Sequence, residues 1–338
     1  MPETIIVTEL EYRKGEAVFR ETGDLAFVPA PTAEGPLAAA VQKERARAVI
    51  VGVERYTGPL YDALHKVAEP RPALIARFGV GHDGIDKPLA QRHNILVANT
   101  PGALDLSVAE HALWLMGALA RQVPRVEARF RQGEFAGETG AELHGQCLGV
   151  LGFGQIGRRV ASIAHYGFGM HVLACDVTPV EQLERHEQQP LGAFIRRWGL
   201  ELYTTDLDRG LRECDFLSVH LPALPATRHF INGQRLRLMK PTAFLVNTSR
   251  GSVLDEAALF DALAAGRLGG AGLDVFEREP YQPVVADKDL RQLPNVVLTP
   301  HIASNTLQAN RRMAERCVDN IHHFLAGEIE RIARVDNS

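Results

Sequence analysis

A glycine-rich turn indicates where this chain would hold a dinucleotide. The apolar run Cys147–Phe153 predicts a buried strand, and it leads into Gly152-Phe153-Gly154-Gln155-Ile156-Gly157, behind which a helical pattern begins. In such a turn the first glycine permits the tight bend, the second lets the backbone approach a pyrophosphate, and the third lets the helix pack on the strand. Amide groups at the start of that helix then face negative charge. The turn therefore predicts a pyrophosphate site.

Asp176 closes the next apolar run, MHVLACD, at the distance expected of a ribose-binding acid. A carboxylate at a strand end about twenty residues beyond the glycines can accept hydrogen bonds from the adenosine ribose. Its charge would repel a 2′-phosphate, and the following Val177-Thr178 offers no arginine to hold one. The alternative is an ordinary tight turn followed by a solvated strand end. The strand, helix and acid together favour the dinucleotide, and NAD over NADP.

Three polar residues further along the chain stand at the ends of predicted buried strands. Arg250 follows AFLVNTS, Glu279 lies in DVFEREP, and His301 follows NVVLTP. Taken singly, each has a simpler explanation: a surface arginine, a solvated glutamate and a capping histidine. Open α/β sheets, however, bind their ligands at the carboxyl ends of the strands. We therefore treat the three together as the candidate catalytic set.

The chemistry of these three side chains matches the needs of 2-oxo acid reduction. A substrate carboxylate is best held by a planar, bidentate cation, which is arginine. The carbonyl oxygen needs a proton donor that titrates near neutrality, which is histidine. An acidic neighbour favours the protonated histidine and orients its ring. Downstream of a dinucleotide motif, the set predicts hydride transfer to a small 2-oxo acid.

Short apolar runs alternate with helical patterns along the whole chain. Such alternation predicts parallel sheets with right-handed crossovers, and 338 residues suit two sheets better than one. The segment Ser107–Arg121 is expected to be a helix capped by Ser107, and we place the crossing between domains there. A last helix is predicted from about Thr306 to Leu325, with Gly327 as its stop. Strands are predicted at TIIVTEL, RAVIVGV, ALIARFG, NILVANT, CLGVLGF, MHVLACD, ELYTT, DFLSVHL, AFLVNTS, GGAGLDV and NVVLTPH.

Composition excludes several classes of function. The net charge is −4, and no basic run with interleaved aromatics appears, so we expect no nucleic-acid partner. The N-terminus lacks a signal-peptide pattern, and no stretch is long and apolar enough to span a bilayer. Four cysteines lie far apart without CxxC spacing, which predicts buried thiols in a reducing cytoplasm and no metal site. We expect a cytoplasmic protein.

Seven segments in order carry a resemblance to the D-isomer-specific 2-hydroxyacid dehydrogenases. The resemblance covers essentially the whole chain. The segments are RFGVGHDGID (77–86), NTPGALDLSVAEHA (99–112), GVLGFGQIGRRVA (149–161), SVHLPALPATRHFI (218–231), LVNTSRGSVLDEAAL (245–259), GLDVFEREP (272–280) and NVVLTPHIASNT (295–306).

The resemblance implies a role for each matching position. Arg250 would bind the substrate carboxylate and polarise the carbonyl, and His301 paired with Glu279 would be the acid–base residue. Backbone amides of Val80 and Gly81 would also hold the carboxylate. The cofactor would be met by the following residues: Val108, Gly152, Gly154, Gln155, Ile156, Gly157, Asp176, Leu221, Pro222, Thr248 and Asp274.

The resemblance also implies an architecture of two flavodoxin- or Rossmann-like doubly wound domains with a cleft between them. A discontinuous substrate-binding domain would comprise residues 1–105 and 304–338, and an NAD-binding domain residues 106–303. Members are usually homodimers through the NAD domain, and the arm-like stretch 129–146 suits that role.

This chain departs from the family pattern between Asp176 and Leu207. The segment is roughly ten residues longer than usual, and we expect it to be a surface excursion. Its arginines, Arg185, Arg196 and Arg197, would weaken the preference for NAD if they folded back. His82 either faces the active site or is a solvated loop side chain. We also expect no regulatory C-terminal domain of the kind found in many phosphoglycerate dehydrogenases.

Two other functions stay open within the same resemblance. Formate enzymes carry glutamine where Glu279 stands, and phosphite enzymes carry lysine where Val80 stands, so neither pattern matches. Some relatives act as NAD-sensing co-repressors, and those also keep the Arg/Glu/His set. Glyoxylate and hydroxypyruvate are the expected substrates, because the substrate loop shows no cation for a phosphate beyond Arg77, which could equally be a surface residue.

Overall fold

The computed structural model describes residues 2–335, in which strands and helices alternate. The strands are β1 (Glu3–Thr8), β2 (Leu25–Ala30), β3 (Ala48–Val51), β4 (Ala73–Arg77), β5 (Ile95–Ala98), β6 (Cys147–Leu151), β7 (His171–Cys175), β8 (Leu202–Thr204), β9 (Phe216–Val219), β10 (Phe244–Asn247), β11 (Gly270–Leu273) and β12 (Val296–Leu298). The helices are α1 (Glu9–Glu21), α2 (Glu34–Glu44), α3 (Pro59–Ala68), α4 (Lys87–Arg92), α5 (Asp105–Ala120), α6 (Val123–Arg131), α7 (Gln155–Phe168), α8 (Val180–Glu187), α9 (Leu191–Trp198), α10 (Leu207–Glu213), α11 (Gly233–Leu236), α12 (Glu256–Ala264) and α13 (Leu307–Ala326).

The described chain divides into two compact units, each built on one parallel sheet. Unit 1 runs to Leu104 and resumes at Ser304, and unit 2 is Asp105–Ala303. The sheet of unit 1 has the order β2-β1-β3-β4-β5, which is the flavodoxin-like arrangement. The sheet of unit 2 has the order β12-β11-β10-β9-β6-β7-β8, which is the Rossmann order extended by one strand. The predicted fold class of two doubly wound sheets is therefore confirmed. Which unit serves which ligand stays a prediction.

Register aligns the carboxyl ends of six strands in unit 2. Neighbouring pairs place Cys175, Leu151, Val219, Asn247, Leu273 and Leu298 in one row across the sheet. The residues that follow this row are Asp176, Gly152, His220, Thr248, Asp274 and Thr299. The sheet thus delivers polar and glycine residues from separate parts of the chain to one edge.

Buried apolar side chains on both faces of this sheet hold the edge in place. On one face the core contains residues of α5 and α7, such as Leu115 and Val160, and on the other it contains residues of α12, such as Leu259. Strands buried on both faces read as continuous apolar runs, which is why the sequence predicts them well.

The structure adds elements that the sequence analysis did not predict. Strand β2 contains Pro29 and pairs with β1 along its whole length as the edge of its sheet, where proline is tolerated. Helix α1 is rich in charge, which hides its buried face of Val18 and Phe19. Helix α5 begins at Asp105, two residues earlier than expected, so Ser107 lies inside the first turn and is not the cap.

The last helix agrees with the prediction at both ends. Thr306 is its N-cap, with Oγ1 accepting a hydrogen bond from Ala309 N at 3.1 Å. Gly327 ends it in the left-handed conformation, with φ 77°. No helix within residues 2–335 is long and apolar enough to cross a membrane.

The long segment after Asp176 is not only a surface excursion, as the sequence suggested. It folds into two helices, α8 and α9, whose apolar faces enter the core of unit 2. Leu183 is 5% exposed and Phe194 is 1% exposed. Their burial explains why an insertion rich in charged residues keeps a regular apolar spacing.

Candidate active site

The glycine turn between β6 and α7 has the geometry that its sequence predicts. Gly152 has φ 91°, and a Cβ there would lie 2.7 Å from the His220 oxygen, so both conformation and space require glycine. A Cβ on Gly157 would lie 2.3 Å from the Gly152 oxygen, which keeps the helix close to the strand. A Cβ on Gly154 would meet no atom within 4 Å. The turn therefore leaves open space directly before α7.

That open space suits a pyrophosphate. Helix α7 starts at Gln155, so the amides of Gln155, Ile156 and Gly157 are in its first turn and have no partner within the helix. Gln155 is exposed and Ile156 half-buried. The helix dipole adds partial positive charge at this end. The residues present thus fit the phosphate part of a dinucleotide.

Asp176, at the end of β7, is tied to the glycine turn. Its Oδ2 accepts a hydrogen bond from Phe153 N at 2.6 Å, and its Oδ1 accepts from Thr178 N at 3.0 Å and Thr178 Oγ1 at 2.8 Å. A carboxylate has about four acceptor positions, so these bonds still leave capacity for a ribose hydroxyl. Asp176 lies where a ribose-binding acid is required.

The arginines of the insertion make other contacts. Arg185 Nε donates to the Glu181 oxygen at 3.2 Å, and Arg197 lies 5.1 Å from the centre of the Trp198 ring. Arg196 is exposed, and its carbonyl oxygen accepts a hydrogen bond from Tyr166. The side-chain contacts of Arg185 and Arg197 do not favour their folding back towards a 2′-phosphate.

Arg250 lies on a loop that is organised by the buried side chain of Asn247, the last residue of β10. Asn247 Oδ1 accepts from Ser249 N at 3.0 Å and Ser249 Oγ at 2.8 Å, and its Nδ2 donates to the Arg250 oxygen at 3.0 Å. Arg250 Nη1 donates to the Ser249 oxygen at 2.7 Å. The guanidinium is therefore oriented by its own loop before any ligand binds.

Close backbone contact joins the Arg250 loop to the segment that carries Glu279. A Cβ on Gly251 would lie 1.9 Å from the Phe276 carbonyl carbon and 2.4 Å from Glu277 N. No side chain can be accommodated at that distance, so glycine beside Arg250 is a condition for bringing the two loops together.

His301 and Glu279 form a direct acid–base contact at this edge. Nδ1 of His301 lies 2.7 Å from Oε2 of Glu279, and about a third of each side chain is exposed, 31% and 32%. Glu279 Oε1 accepts from Phe276 N at 2.9 Å, which holds the carboxylate in place. Nε2 is thus left as the ring nitrogen that can exchange a proton with a substrate.

The backbone at His301 is strained and is held by Asp274. His301 has φ 54°, a left-handed conformation that costs a non-glycine residue on the order of 1 kcal/mol or more. His301 N donates to the Asp274 oxygen at 2.8 Å, and the Asp274 carboxylate accepts from Ile302 N and Ala303 N, each at 2.8 Å. One buried carboxylate therefore fixes the turn that presents the histidine.

A second histidine supports the same carboxylate. Thr299 Oγ1 donates to Asp274 Oδ1 at 2.6 Å and lies 3.0 Å from His111 Nε2. Because the threonine proton is given to Asp274, His111 Nε2 must be the donor in the second bond. Burial acts to raise the pKa of Asp274, but hydrogen bonds from His111, Thr299 and the two amides outweigh it, so that pKa lies below its usual value.

Glu256, at the start of α12, supports the Glu279 segment from the other side. Its Oε1 accepts from Glu277 N, while its Oε2 is buried without a hydrogen bond among residues 2–335. Burial raises the pKa of Glu256 to about 7, and the nearby Glu277 and Glu279 carboxylates add to the shift while the Glu277 amide opposes it.

Three of the remaining predicted cofactor residues, Leu221, Pro222 and Thr248, follow strand ends at the same edge of unit 2, while Val108 lies near the start of α5. Val108 and Leu221 are buried, and Pro222 is exposed. Thr248 is 7% exposed, and its Oγ1 is buried with no hydrogen bond to any described residue. An unsatisfied buried hydroxyl costs on the order of 1–3 kcal/mol, so a polar ligand group beside it would be stabilising. Thr248 thus fits the cofactor role assigned to it.

Val80 and Gly81 belong to unit 1, in the loop after β4. Asn99 Nδ2 donates to the Val80 oxygen at 2.8 Å, and Thr100 N donates to the Gly79 oxygen at 3.1 Å. The loop is therefore held by the segment that follows β5, and both residues are half-buried.

Arg77 is not a surface residue, as the sequence allowed. It is 7% exposed and lies beneath the loop, where a Cβ on Gly79 would be 2.5 Å from its Nη1. His82 is half-buried in the same loop.

Sequence reasoning missed His111, Thr299 and Glu256. His111 sits in a helix whose pattern is otherwise apolar, and Thr299 precedes His301 by two residues at a strand end. A polar residue in such a position is a weak signal, because only tertiary contacts show whether it is solvated or bonded.

Comparison with known proteins decides the family. Residues 113–303 match the model of the D-isomer specific 2-hydroxyacid dehydrogenase NAD-binding domain. The chain is 39% identical over 302 residues to the glyoxylate reductase of Korarchaeum cryptofilum, covering 88% of this chain and 86% of that protein. The chain belongs to the D-isomer-specific 2-hydroxyacid dehydrogenase family. The predicted membership, the oxidoreductase class and NAD as the cofactor are confirmed.

Other members of this dehydrogenase family resemble the chain along most of its length. The hydroxypyruvate reductase of Thermotoga maritima is 40% identical over 250 residues, covering 73% of this chain and 76% of that protein. The structure of Aquifex aeolicus D-lactate dehydrogenase with NAD and lactic acid has a TM-score of 0.79 at 31% identity, covering 96% of each chain. The NADPH-dependent glyoxylate/hydroxypyruvate reductase of Sinorhizobium meliloti, with NADP and malonate, has a TM-score of 0.78 at 30% identity, covering 96% of this chain and 94% of that chain.

Proposed function

We propose that this dehydrogenase uses NADH to reduce glyoxylate or hydroxypyruvate, reversibly, and that it forms the D isomer where the product is chiral. The observation that carries the proposal is the 2.7 Å contact between His301 Nδ1 and Glu279 Oε2 at the strand edge that also holds the glycine turn. The Arg250 loop is pressed against the Glu279 segment through Gly251. Cation, acid and cofactor loop thus occupy one edge of unit 2.

Arg250 is the substrate-binding cation in this proposal. A guanidinium offers two parallel N–H donors to a carboxylate, and its charge offsets negative charge that develops on the carbonyl oxygen. The Asn247 and Ser249 contacts hold its loop in advance, so little ordering is needed when the substrate binds. The backbone amides of Val80 and Gly81 would contribute further donors to the same carboxylate.

His301 is the proton donor for reduction and the proton acceptor for oxidation. During reduction Nε2 gives its proton to the carbonyl oxygen, and the imidazole becomes neutral while Glu279 keeps its charge. The Glu279 carboxylate beside Nδ1 sets the orientation of the ring throughout. Asp274 holds the backbone that places the ring.

Bound NADH would supply a hydride for the carbonyl carbon. The amides of Gln155 and Ile156 would hold its pyrophosphate, Asp176 its adenosine ribose, with Leu221 and Pro222 beside the adenosine. Thr248, Asp274 and Val108 would lie near the nicotinamide. The charge of Asp176 and the other contacts of the neighbouring arginines favour NADH over NADPH.

Two observations support a small substrate: the names of similar proteins and the position of Arg77 in unit 1. Relatives that are 39% and 40% identical are named glyoxylate reductase and hydroxypyruvate reductase. Arg77 is buried beneath the substrate loop, so its guanidinium is not accessible to a phosphate group on a substrate. Both points favour a small substrate without phosphate.

We also propose a homodimer in a reducing, cytoplasmic setting. Phe130 is 61% and Phe135 is 92% exposed in the arm-like stretch, and their rings lie 6.2 Å apart. Such exposed rings are costly unless a second chain covers them. Light scattering should give a mass of two chains, and Phe135→Ser should shift it towards one.

Absorbance at the NADH band tests the proposed function directly. Wild-type protein is assayed with glyoxylate, hydroxypyruvate, pyruvate, 2-oxoglutarate, phenylpyruvate and 2-ketoisocaproate, with NADH and NADPH in parallel. We expect turnover with NADH and the highest kcat/KM for glyoxylate or hydroxypyruvate. A strong preference for NADPH would contradict the role of Asp176. NADH binding without turnover on any of these acids would favour an NAD-sensing role.

A further inference from the structure

We propose that the helix pair α8–α9 braces the glycine turn through Phe153, and that Phe194 and Arg158 are positioning residues which set the affinity for the dinucleotide. The inference rests on the proposed function of that turn as the pyrophosphate site. It gives the insertion a defined role, which neither the sequence nor the family resemblance supplies.

Phe153 is the only residue with a side chain between the two first glycines of the turn. Gly152 and Gly154 can adopt many conformations, so they cannot restrict the loop by themselves. Phe153 is 3% exposed, which means that its ring is anchored in the core while its backbone lies in the turn. Whatever holds this ring therefore limits the motion of the turn.

The insertion supplies a large part of that anchor. The Phe153 ring centre lies 5.7 Å from Phe194 of α9 and 6.2 Å from Tyr203 of β8, both edge-to-face, and Phe194 lies 6.1 Å from Tyr203. Each such pair contributes favourably beyond simple burial. Tyr203 is itself tied to the ribose side of the site, since its hydroxyl donates to the Thr178 oxygen at 2.8 Å.

The backbone of Phe153 is held at both ends. Asp176 Oδ2 accepts a hydrogen bond from Phe153 N at 2.6 Å, and Arg158 Nε donates to the Phe153 oxygen at 3.1 Å. With its ring, amide and carbonyl all engaged, Phe153 cannot shift without breaking several contacts at once. The amides that follow it are thereby preorganised for a pyrophosphate, which reduces the cost of binding.

Arg158 connects the turn to both helices of the insertion. Its Nη1 pairs with Glu187 of α8 at 2.6 Å, and only 15% and 17% of these two side chains are exposed. Its guanidinium lies 5.1 Å from the Phe194 ring centre and 5.8 Å from the Trp198 ring centre, both on α9. The Arg158 guanidinium therefore contacts α8 through the ion pair with Glu187 and α9 through cation–π contacts with the two rings. Its Nε at the same time donates a hydrogen bond to Phe153.

Phe194→Leu tests the ring contact. The apolar volume is largely kept, but the edge-to-face pairs with Phe153 and Tyr203 are lost. We expect the Kd and KM for NADH to rise about fivefold to twentyfold, since one or two aromatic pairs and loop order are lost. The kcat at saturating NADH and the KM for the 2-oxo acid should stay within about twofold.

For Glu187→Gln, the proposed brace and simple electrostatics predict opposite changes in the affinity for NADH. Removing a negative charge near an anionic cofactor should by itself tighten binding. If Glu187 instead holds Arg158 in the brace, the change should raise the KM for NADH about threefold to tenfold. Glu181→Gln is the matched control, because this exposed carboxylate lies on the same helix, and it should leave the KM for NADH unchanged.

Binding is measured through NADH fluorescence, with excitation transfer from the two tryptophans as a second readout, and folding is checked through Tm. Weaker NADH binding in Phe194→Leu and Glu187→Gln, with kcat retained, supports the brace. A lowered Tm with unchanged KM for NADH, or tighter binding in Glu187→Gln, would overturn it while leaving the proposed function intact. Wild-type protein that binds no NADH would overturn both.

Discussion

Two carboxylate–histidine pairs lie at the same edge of unit 2 and differ in their access to solvent. Asp274 is fully buried; its Oδ1 lies 3.5 Å from His111 Nε2 and accepts a hydrogen bond from Thr299 Oγ1. Glu279 is about one-third exposed and contacts His301 directly at 2.7 Å. The buried pair holds its protons in fixed hydrogen bonds, whereas the exposed pair has the access that proton exchange with a ligand requires. Burial therefore separates the supporting pair from the pair that we propose as the reacting one.

A third carboxylate shows that burial alone does not decide charge. Glu256 is 4% exposed and Asp274 is 0% exposed, yet their pKa values shift in opposite directions. Asp274 accepts from Thr299 Oγ1 and two backbone amides, while Glu256 accepts from one amide and faces acidic neighbours. The number of donors, not the depth, determines whether a buried carboxylate stays charged.

Removing the proposed proton donor should have the largest effect on turnover. We expect His301→Ala to lower kcat by about 10²–10⁴, because in the proposed mechanism His301 protonates the carbonyl oxygen. The Kd for NADH, measured by fluorescence, should stay within twofold, since the glycine turn is untouched. Unchanged turnover would mean that His301 is not the acid–base residue.

Glu279→Gln should have a smaller effect on turnover than His301→Ala. We expect kcat for reduction to fall about tenfold to a hundredfold, because the His301 ring loses the carboxylate that orients it. The KM for NADH should stay within about twofold, since the glycine turn is untouched. An unchanged kcat would show that Glu279 does not act on His301.

Asp274→Asn should lower stability as well as activity, which distinguishes the buried supporting carboxylate from Glu279. The asparagine side chain has one oxygen in place of two, so it can no longer accept hydrogen bonds from Ile302 N and Ala303 N on separate oxygens. One of these backbone N–H groups is left unsatisfied, which should lower the free energy of unfolding by about 1–3 kcal/mol. Urea unfolding at pH 7 should show that loss, and kcat should fall about tenfold as the strained His301 turn relaxes.

The pH dependence of stability in the same variant tests whether Asp274 is ionised in the folded protein. Because the folded pKa of Asp274 is lowered, its stabilising effect is complete above the unfolded value and is lost as pH falls through the folded value. The stability difference between wild type and Asp274→Asn should therefore shrink below about pH 4. A constant difference would contradict an ionised Asp274.

Glu256→Gln should give the smallest change in stability, and it should stabilise the protein where Asp274→Asn destabilises it. Its folded pKa of about 7 is above the unfolded value, so its contribution is complete below the unfolded value and is lost as pH rises through 7. Glutamine keeps the acceptor for Glu277 N and removes the charge. We expect the variant to be more stable than wild type by on the order of 1–2 kcal/mol at pH 8, with no gain at pH 5. Thermal melts at the two pH values measure this difference.

Much of the fold could be predicted from the sequence, because strands buried on both faces appear as apolar runs. Strand β2 escaped because Pro29 interrupts its pattern, and α1 because its charges mask its apolar face. Arg250, Glu279 and His301 were found because polar residues at strand ends stand out, and their roles stay predictions. His111, Glu256 and the partners of Phe153 could not be found, since a single side chain within a helix does not reveal what it contacts. The family match confirms the reaction class, whereas the brace depends on distances that only the structure provides.

Isotope transfer is the most direct test of the central claim that Arg250, Glu279 and His301 serve direct hydride transfer from NADH to a 2-oxo acid. Wild-type protein is given NADH deuterated at C4 and hydroxypyruvate, and the glycerate is analysed by mass spectrometry and chiral chromatography. We predict deuterium at C2 of the D isomer, and no such product from His301→Ala that still binds NADH. Glycerate without deuterium from either face of C4, or equal product from the variant, would contradict the account.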